Sequence, residues 1–421
     1  MSTKKKILTL SDHPLSLSGV GTQTRYVCEA LLKTGRYSII SLGGAIKHQN
    51  YNPVLVEPYK EDWRCIPVDG YGTQEQIRSI LRTEKIDAVW IMTDPRFWGW
   101  LWAMENEIRP LCPIIYYHVW DNYPYPHFNK PYYDSNDHIA TISKVTDDIV
   151  RTVSPDVDCT YLPHAVNGDV FKPYSDEQIQ DLREKNFSVN DDDKFIFFWN
   201  NRNARRKQSG TLIWWFKEWL DKNDLHDKAQ LIMHTDPRDQ HGQDLHHIIE
   251  HLGLKKNQVL LSINKVTPEQ LAALYNMVDC TINISDAEGF GLATLESLSC
   301  ATPIIATLTG GLQEQVTNGV EWFGFGLTPT SKSIIGSQDV PYIYEDRTSK
   351  EQFMTALSKM YNMTPESRRL MGMKGRQHVL KNYNFDNFEK QWVELMDNCL
   401  EKNGSWEERK QYNGIYFGEV A

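Results

Sequence analysis

Cysteine is scarce in this 421-residue chain, and the seven present (Cys28, Cys65, Cys112, Cys159, Cys280, Cys300, Cys399) are scattered, with no Cys-x-x-Cys spacing. That pattern excludes a disulfide framework and a zinc ribbon and suits a reducing compartment. Long apolar runs are absent too. The densest windows, Ala88–Met92 and Phe195–Trp199, have the length of strands, far short of a membrane span. The apolar stretch after Lys4, Lys5 and Lys6 is only Ile7–Leu10, too short for the core of a secretion signal. Positive charge is not in excess: 45 Lys and Arg face 55 Asp and Glu, a net charge of −10. The excess is spread along the chain, which disfavours a broadly electropositive nucleic-acid binder. Short-period repeats and low-complexity tracts are also missing. The expectation is a cytoplasmic protein without a transmembrane segment, with peripheral contact to a membrane left open.

What the sequence does have is an alternation of short β-like runs with longer helix-like segments. Lys6–Leu10, Ser38–Leu42, Ala88–Met92, Pro113–Val119 and His138–Ile142 read as strands, with helices from about Thr22 to Lys33, over Gln74–Thr83 and from Lys144. A polar stretch at 173–193 reads as a linker. A second series follows: strands at Phe195–Trp199, Gln230–His234, Val259–Leu261, Cys280–Ile284 and Pro303–Ala306, with helices at Ser209–Leu220, Pro268–Met277 and Leu292–Ser299. Residues 329–350 read as an insertion or long loop, and the end is helical over Lys350–Tyr361, Glu366–Lys381 and Phe385–Lys402. The fold class is therefore α/β, with two Rossmann-like doubly wound domains facing a cleft. The expected division is 1–185, 186–385 and a C-terminal helical segment, 386–421, packing back on the first domain. In such sheets ligands bind beyond the carboxyl ends of the strands, so the loops there carry the chemistry.

The densest constellation is Ser285-Asp-Ala-Glu288-Gly-Phe-Gly291-Leu-Ala-Thr-Leu-Glu296, followed by Thr309-Gly310-Gly311-Leu-Gln-Glu314. Glu288 follows a strand, Gly289 and Gly291 permit a tight turn with exposed backbone N–H groups, and a helix then begins near Leu292. Carboxylates accept hydrogen bonds from sugar hydroxyls and repel phosphate. A ligand with a central diphosphate and a sugar at either end suits this spacing. Two solvated glutamates would account for Glu-x7-Glu alone, but not for the glycines and Thr-Gly-Gly in register with it. Asn201-Arg202-Asn-Ala-Arg-Arg-Lys207 follows the first strand of the second series, and Ser18-Gly19-Val20-Gly21-Thr22 follows the first strand of the chain. His118-Val-Trp-Asp121 also stands at a strand end, as do Ser143-Lys144 and Leu162-Pro163-His164.

Together these segments resemble the signature of glycosyltransferase family 4, retaining nucleotide-sugar enzymes of the B-type, two-Rossmann fold. The resemblance covers most of the chain and is strongest over 195–316. It implies that Glu288 touches the transferred sugar, that Phe290, Gly291 and Leu292 line the sugar and phosphates, and that Glu296 binds the nucleotide ribose. Arg202 and Lys207 match the Arg-x4-Lys pair that holds the diphosphate, and Gly19 and Gly21 match the glycine loop that approaches the diphosphate or the acceptor. The backbone near Lys265 and Val266 would contact the base, and His118, partnered by Asp121, would sit near the anomeric carbon as a second catalytic residue. Two departures stand out: Gln208 replaces the glycine that usually follows the lysine, and the segment after Gly326 is longer than usual.

The implied reaction passes through an oxocarbenium-like transition state with charge building on the leaving phosphate, which cations and N–H groups can stabilise. No cofactor or metal is expected: Asp156-Val-Asp158 and Asp191–Asp193 contain Asp-x-Asp, but neither directly follows a buried strand. The donor is expected to be linked to UDP or GDP. The acceptor is expected to be a glycan or lipid-linked saccharide, the default for that family, or alternatively a hydroxymethylated base in DNA. A nucleotide-sugar 2-epimerase and a non-catalytic nucleotide-sugar-binding protein are the other readings. Aromatics are abundant, with 13 Trp, 20 Tyr and 15 Phe, and many gather around the His118 loop. Trp98, Trp120, Tyr123 and Tyr125 are the candidates for stacking on an acceptor, and Asp121 joins them as a candidate acceptor-binding residue. Trp214, Trp215 and Trp219 stand at helical spacing and read as core.

Overall fold

Uninterrupted apolar runs become the central strands, because a parallel strand covered by helices on both faces must be apolar on both. The computed structural model describes residues 4–186, 194–410 and 412. Its first sheet holds β1 (Lys5–Asp12), β2 (Tyr37–Gly44), β3 (Val54–Val56), β4 (Lys60–Pro67), β5 (Ala88–Met92), β6 (Ile114–His118), β7 (His138–Thr141) and β8 (Cys159–Tyr161). Their order is β3-β4-β2-β1-β5-β6-β7-β8, parallel except for β3 against β4. Every residue of β5 and β6 is buried.

The second sheet holds β9 (Phe195–Asn200), β10 (Ala229–His234), β11 (Val259–Ser262), β12 (Cys280–Asn283), β13 (Ile304–Thr307) and β14 (Gly324–Leu327). All are parallel, in the order β11-β10-β9-β12-β13-β14. The chain winds outward from β9 in one direction and from β12 in the other, so the switch point lies between those two strands. Phe197, Trp199, Phe216 and Trp219 centre the core on one face. The segment read as an insertion is a hairpin, β15 (Ser331–Ile335) against β16 (Ile343–Arg347), antiparallel.

Contacts group residues 1–165, 336–341 and 386–421 into one unit, and 166–335 with 342–385 into another. The polar stretch read as a linker contains the helix Asp176–Asn186, which buries none of its residues and belongs to the second unit. The division therefore precedes the expected boundary at 185. Asp191–Asp193 lie outside the described residues. In the first unit, Trp392 of the helix Phe385–Asn403 meets Trp90 and Tyr117 edge-on at 5.8 and 4.8 Å. Trp214 corrects the core reading. The helix Ser209–Asn223 turns Leu212, Ile213, Phe216, Trp219 and Leu220 to the sheet, leaving Trp214 exposed beneath the Lys350 ammonium. All seven cysteines are free thiols. Among the described residues no helix is long and apolar enough to cross a membrane.

Candidate active site

The two turns singled out in the sequence leave neighbouring strands at the switch point of the second sheet. From β9 the chain enters a basic turn, in which Arg205–Lys207 form one short 3-10 turn before the helix Ser209–Asn223. Arg202 remains exposed, its guanidinium donating to Asp239 at 2.6 and 3.1 Å and to His241 Nδ1 at 2.7 Å. Its hydrogen bonds hold the Asp239 carboxyl down at about 2. Lys207 is buried. Gln208, next in the chain, adopts a left-handed conformation (φ 57°, ψ 34°), which costs a side-chain-bearing residue about 1 kcal/mol.

From β12 the chain enters the glutamate turn. Asn283 accepts from Ser285 N at 3.1 Å and from its hydroxyl at 2.5 Å, fixing the strand exit. Gly291 needs its freedom: φ is 90°, and a Cβ there would lie 2.5 Å from Leu312 Cδ2. Gly311 is constrained by proximity instead, since its Cβ would come 2.7 Å from Gly289 O and Phe290 Cα. Thr-Gly-Gly thus lets the turn after β13 lie directly against the glutamate turn, where Gly311 N donates to Glu288 O at 3.0 Å. Gln315 Nε2 adds a bond to Phe290 O at 2.6 Å. Phe290 and Gly291 are buried, and Leu292, the first residue of the helix Leu292–Ser299, is half-buried.

The turns meet through Lys207 and Glu288, whose ammonium and carboxylate form an ion pair with both side chains almost wholly buried. Burial alone would raise the Glu288 carboxyl, but Lys207 and Arg206 outweigh it and hold it below its ordinary value, so it is ionised at neutral pH. Arg206 Nη1 donates to Ala287 O at 2.5 Å, a second stitch between the turns. One helical segment further on, Glu296 accepts from the Tyr275 hydroxyl at 2.9 Å, and Tyr275 accepts from Asn200 Nδ2 at 2.9 Å. Burial pushes the Glu296 carboxyl up to about 7 from 4.5, with the Tyr275 bond opposing. Folded protein therefore holds this proton more tightly than unfolded chain, and Glu296 lowers stability progressively as pH rises across that interval. Lys265, exposed, and Val266, half-buried, follow β11.

In the first unit, Gly19 and Gly21 open the helix Gly19–Lys33, where Ser18 accepts from Gly21 N at 3.0 Å. A Cβ on Gly21 would lie 2.3 Å from Ser16 Oγ, so the glycine keeps the loop close to the helix end. His118 ends β6 with no exposed surface. Its Nε2 lies 2.8 Å from the Tyr133 hydroxyl, and its Nδ1 finds no hydrogen-bond partner among the described residues. The expected pairing with Asp121 is therefore not formed. Burial pushes the His118 imidazole down to about 3, which leaves it neutral. The aromatic expectation needs a second correction. Trp98 is wholly buried against Tyr71, and Trp120 is 5% exposed with its Nε1 donating to Asn122 O at 2.8 Å. Neither offers a ring face in this conformation, because both fill the core beneath their loops. Tyr123 and Tyr125 do reach the surface, edge to face at 5.3 Å, both donating to Asp148 Oδ2.

Several residues of the site escaped the sequence reading. Asn200 and Asn283 stood legibly at strand ends, and Tyr275 lay inside a segment already singled out. Asp286 stood inside the glutamate constellation already quoted, whereas Glu345 and Arg347 had no such signal, since both lie in the segment read as a loop. Among the described residues no group of three or more His, Cys, Asp or Glu side chains is arranged to hold a metal ion.

Residues 179–378 match the family model described as Glycosyl transferases group 1. A D-inositol 3-phosphate glycosyltransferase of Corynebacterium urealyticum is 29% identical over 151 residues, 36% of this chain and 30% of the relative. The corresponding protein of Paenarthrobacter aurescens is 36% identical over 76 residues, 18% of each chain. The matches thus span less than a third of the length of these curated relatives. Among solved structures, sucrose-phosphate synthase from Thermosynechococcus elongatus has a TM-score of 0.75 at 18% identity, covering 95% of this chain and 100% of that one. Anabaena HepE in complex with UDP-glucose has a TM-score of 0.68 at 15% identity, covering 93% and 99%. At these identities the likeness establishes a shared fold.

Proposed function

From the match of residues 179–378 to the Glycosyl transferases group 1 model, we propose that the chain is a retaining glycosyltransferase moving a sugar from a nucleoside diphosphate sugar to an acceptor hydroxyl. The observation that carries this reading is the meeting of Lys207 and Glu288 at the switch point. A cation for the leaving diphosphate and a carboxylate for sugar hydroxyls are held side by side. Arg202, Lys207 and the N–H groups at the start of the helix Leu292–Ser299 stabilise charge on the departing phosphate, where preorganised donors lower the barrier most. Glu288 binds the transferred sugar, Glu296 the ribose, and the loop at Lys265 and Val266 the base. The acceptor, a glycan or lipid-linked saccharide, is received by the first unit. In a front-face reaction the leaving phosphate takes the acceptor proton.

UDP-glucose is the first donor to screen, because HepE was solved with it, and GDP-sugars follow. Release of nucleotide is measured with and without acceptors, and Glu288→Ala serves as the control. Product from donor alone would favour an epimerase, and nucleotide binding without turnover a binding protein. A hydroxymethylated DNA acceptor would show itself by steep loss of transfer with salt.

The ribose role of Glu296 predicts a pH dependence. Only the ionised carboxylate accepts from both ribose hydroxyls, and the carboxyl titrates near 7. Below that value donor KM is expected to fall by up to about tenfold per pH unit as pH rises, then to level off. Glu296→Gln should flatten the profile. A flat wild-type KM between pH ~5.5 and ~8 would remove Glu296 from the ribose site.

A further inference from the structure

The two departures from the family pattern, Gln208 and the long segment after Gly326, meet at one residue. Asp286 precedes the sugar-binding Glu288 by two positions, and its carboxylate accepts from Gln208 Nε2 at 2.5 Å and pairs with Arg347 at 2.8 Å. Its backbone is used as well: Asp286 N donates to Arg206 O at 2.8 Å, and Asp286 O accepts from Asp346 N at 2.9 Å. Beside it, the Arg205 guanidinium makes two parallel bonds to Glu345, at 2.9 and 2.5 Å, and Arg347 Nη2 donates to the same carboxylate at 3.2 Å. Glu345 is the one buried residue of β16, and β15 buries none. Apolar packing therefore does not explain why the hairpin docks here. A two-stranded hairpin is marginal by itself, so this one is held by its charged and backbone bonds. Gln208 completes the picture. Its amide nitrogen reaches Asp286 while its oxygen accepts from the Thr211 hydroxyl at 2.7 Å, uses that glycine would lack.

We propose that the hairpin β15–β16 is a positioning element for the donor site: Glu345 and Arg347, with Gln208 and Asp286, clamp the turn Arg205–Gln208 against the turn Ser285–Glu288 and so present Lys207 to the donor diphosphate. The proposal rests on the functional reading above. None of these four residues touches the reacting atoms. They act through Lys207, which a charge-assisted bidentate pair can fix in direction as well as place.

Glu345→Gln tests it, because it removes the charge and keeps the shape. Affinities for UDP, GDP, UMP and GMP are measured by calorimetry on wild type and variant, with thermal unfolding and amide hydrogen exchange of the free proteins. The variant should bind the cognate diphosphate about tenfold more weakly while its affinity for the monophosphate changes less than about twofold. Exchange at 204–208 should quicken while that of β9 stays unchanged. An equal loss for diphosphate and monophosphate, or a large fall in melting temperature, would mean a general structural role and overturn the proposal. So would unchanged diphosphate affinity. Should wild type bind none of the four nucleotides, the functional reading fails by itself. Exchange then decides the clamp: quicker exchange at 204–208 upholds it and unchanged exchange overturns it.

Discussion

Lys207→Met is expected to lower the unfolding free energy by about 3–5 kcal/mol at neutral pH, because it strands a buried carboxylate. Both partners of the Lys207–Glu288 pair are more than nine-tenths buried, so neither solvent nor salt can replace the lost charge. What remains for Glu288 is Asn283 Nδ2 at 3.4 Å and the more distant field of Arg206. The carboxyl would then take up a proton, and its ionisation would move up from its present depressed value. The double variant Lys207→Met/Glu288→Leu removes both charges and should recover most of the loss, since a buried ion pair replaced by packed apolar groups is often neutral in stability. Urea unfolding of the three proteins measures the cycle. A cost below about 1 kcal/mol for the single variant would mean that the pair behaves as a solvated surface contact.

The second large effect concerns activity. Glu288→Gln keeps the size of the side chain and its hydrogen-bonding reach but removes the charge. On the proposed role, kcat should fall by about 10²–10³, the usual consequence of deleting one preorganised electrostatic contact to the transition state. Donor KM should change far less, because ribose and base contacts remain. Unchanged transfer by Glu288→Gln and by Glu288→Ala would end the assignment. The comparison with Lys207→Met is informative: the double variant should fold well and still fail to turn over, which separates stability from chemistry.

Much of this site was legible in the sequence because its markers are local. The strands β5 and β9 are buried apolar runs, and the helix Leu292–Ser299 begins where glycine ends the turn, so strand, turn and helix could be read from adjacent residues. The helix Asp176–Asn186 was missed because it buries nothing, which leaves no apolar stripe to betray its period. The hairpin β15–β16 was read as a loop for a similar reason, its single buried side chain being a glutamate. Trp98 was misread because aromatic density locates a region without telling which rings face inward. Asp286, Glu345 and Arg205 are distant in the chain and carry no motif together. Only the fold makes them neighbours.

The basic turn has a consequence for selectivity. Three of its four cationic side chains are already paired with carboxylates, Arg202 with Asp239, Arg205 with Glu345 and Lys207 with Glu288, while Arg206 is tied down by the Ala287 carbonyl. The turn therefore presents a much weaker field to solvent than four unpaired cations would, and a passing polyanion or free inorganic phosphate meets a cluster that is largely neutralised from within. An incoming anion must displace a carboxylate to gain Arg202, Arg205 or Lys207, so charge alone gives it little advantage there. A ligand that also gives the displaced Glu288 something to hold, as sugar hydroxyls do, escapes that penalty. Internal neutralisation of this kind turns a basic loop into a filter that rewards two chemistries arriving in one molecule.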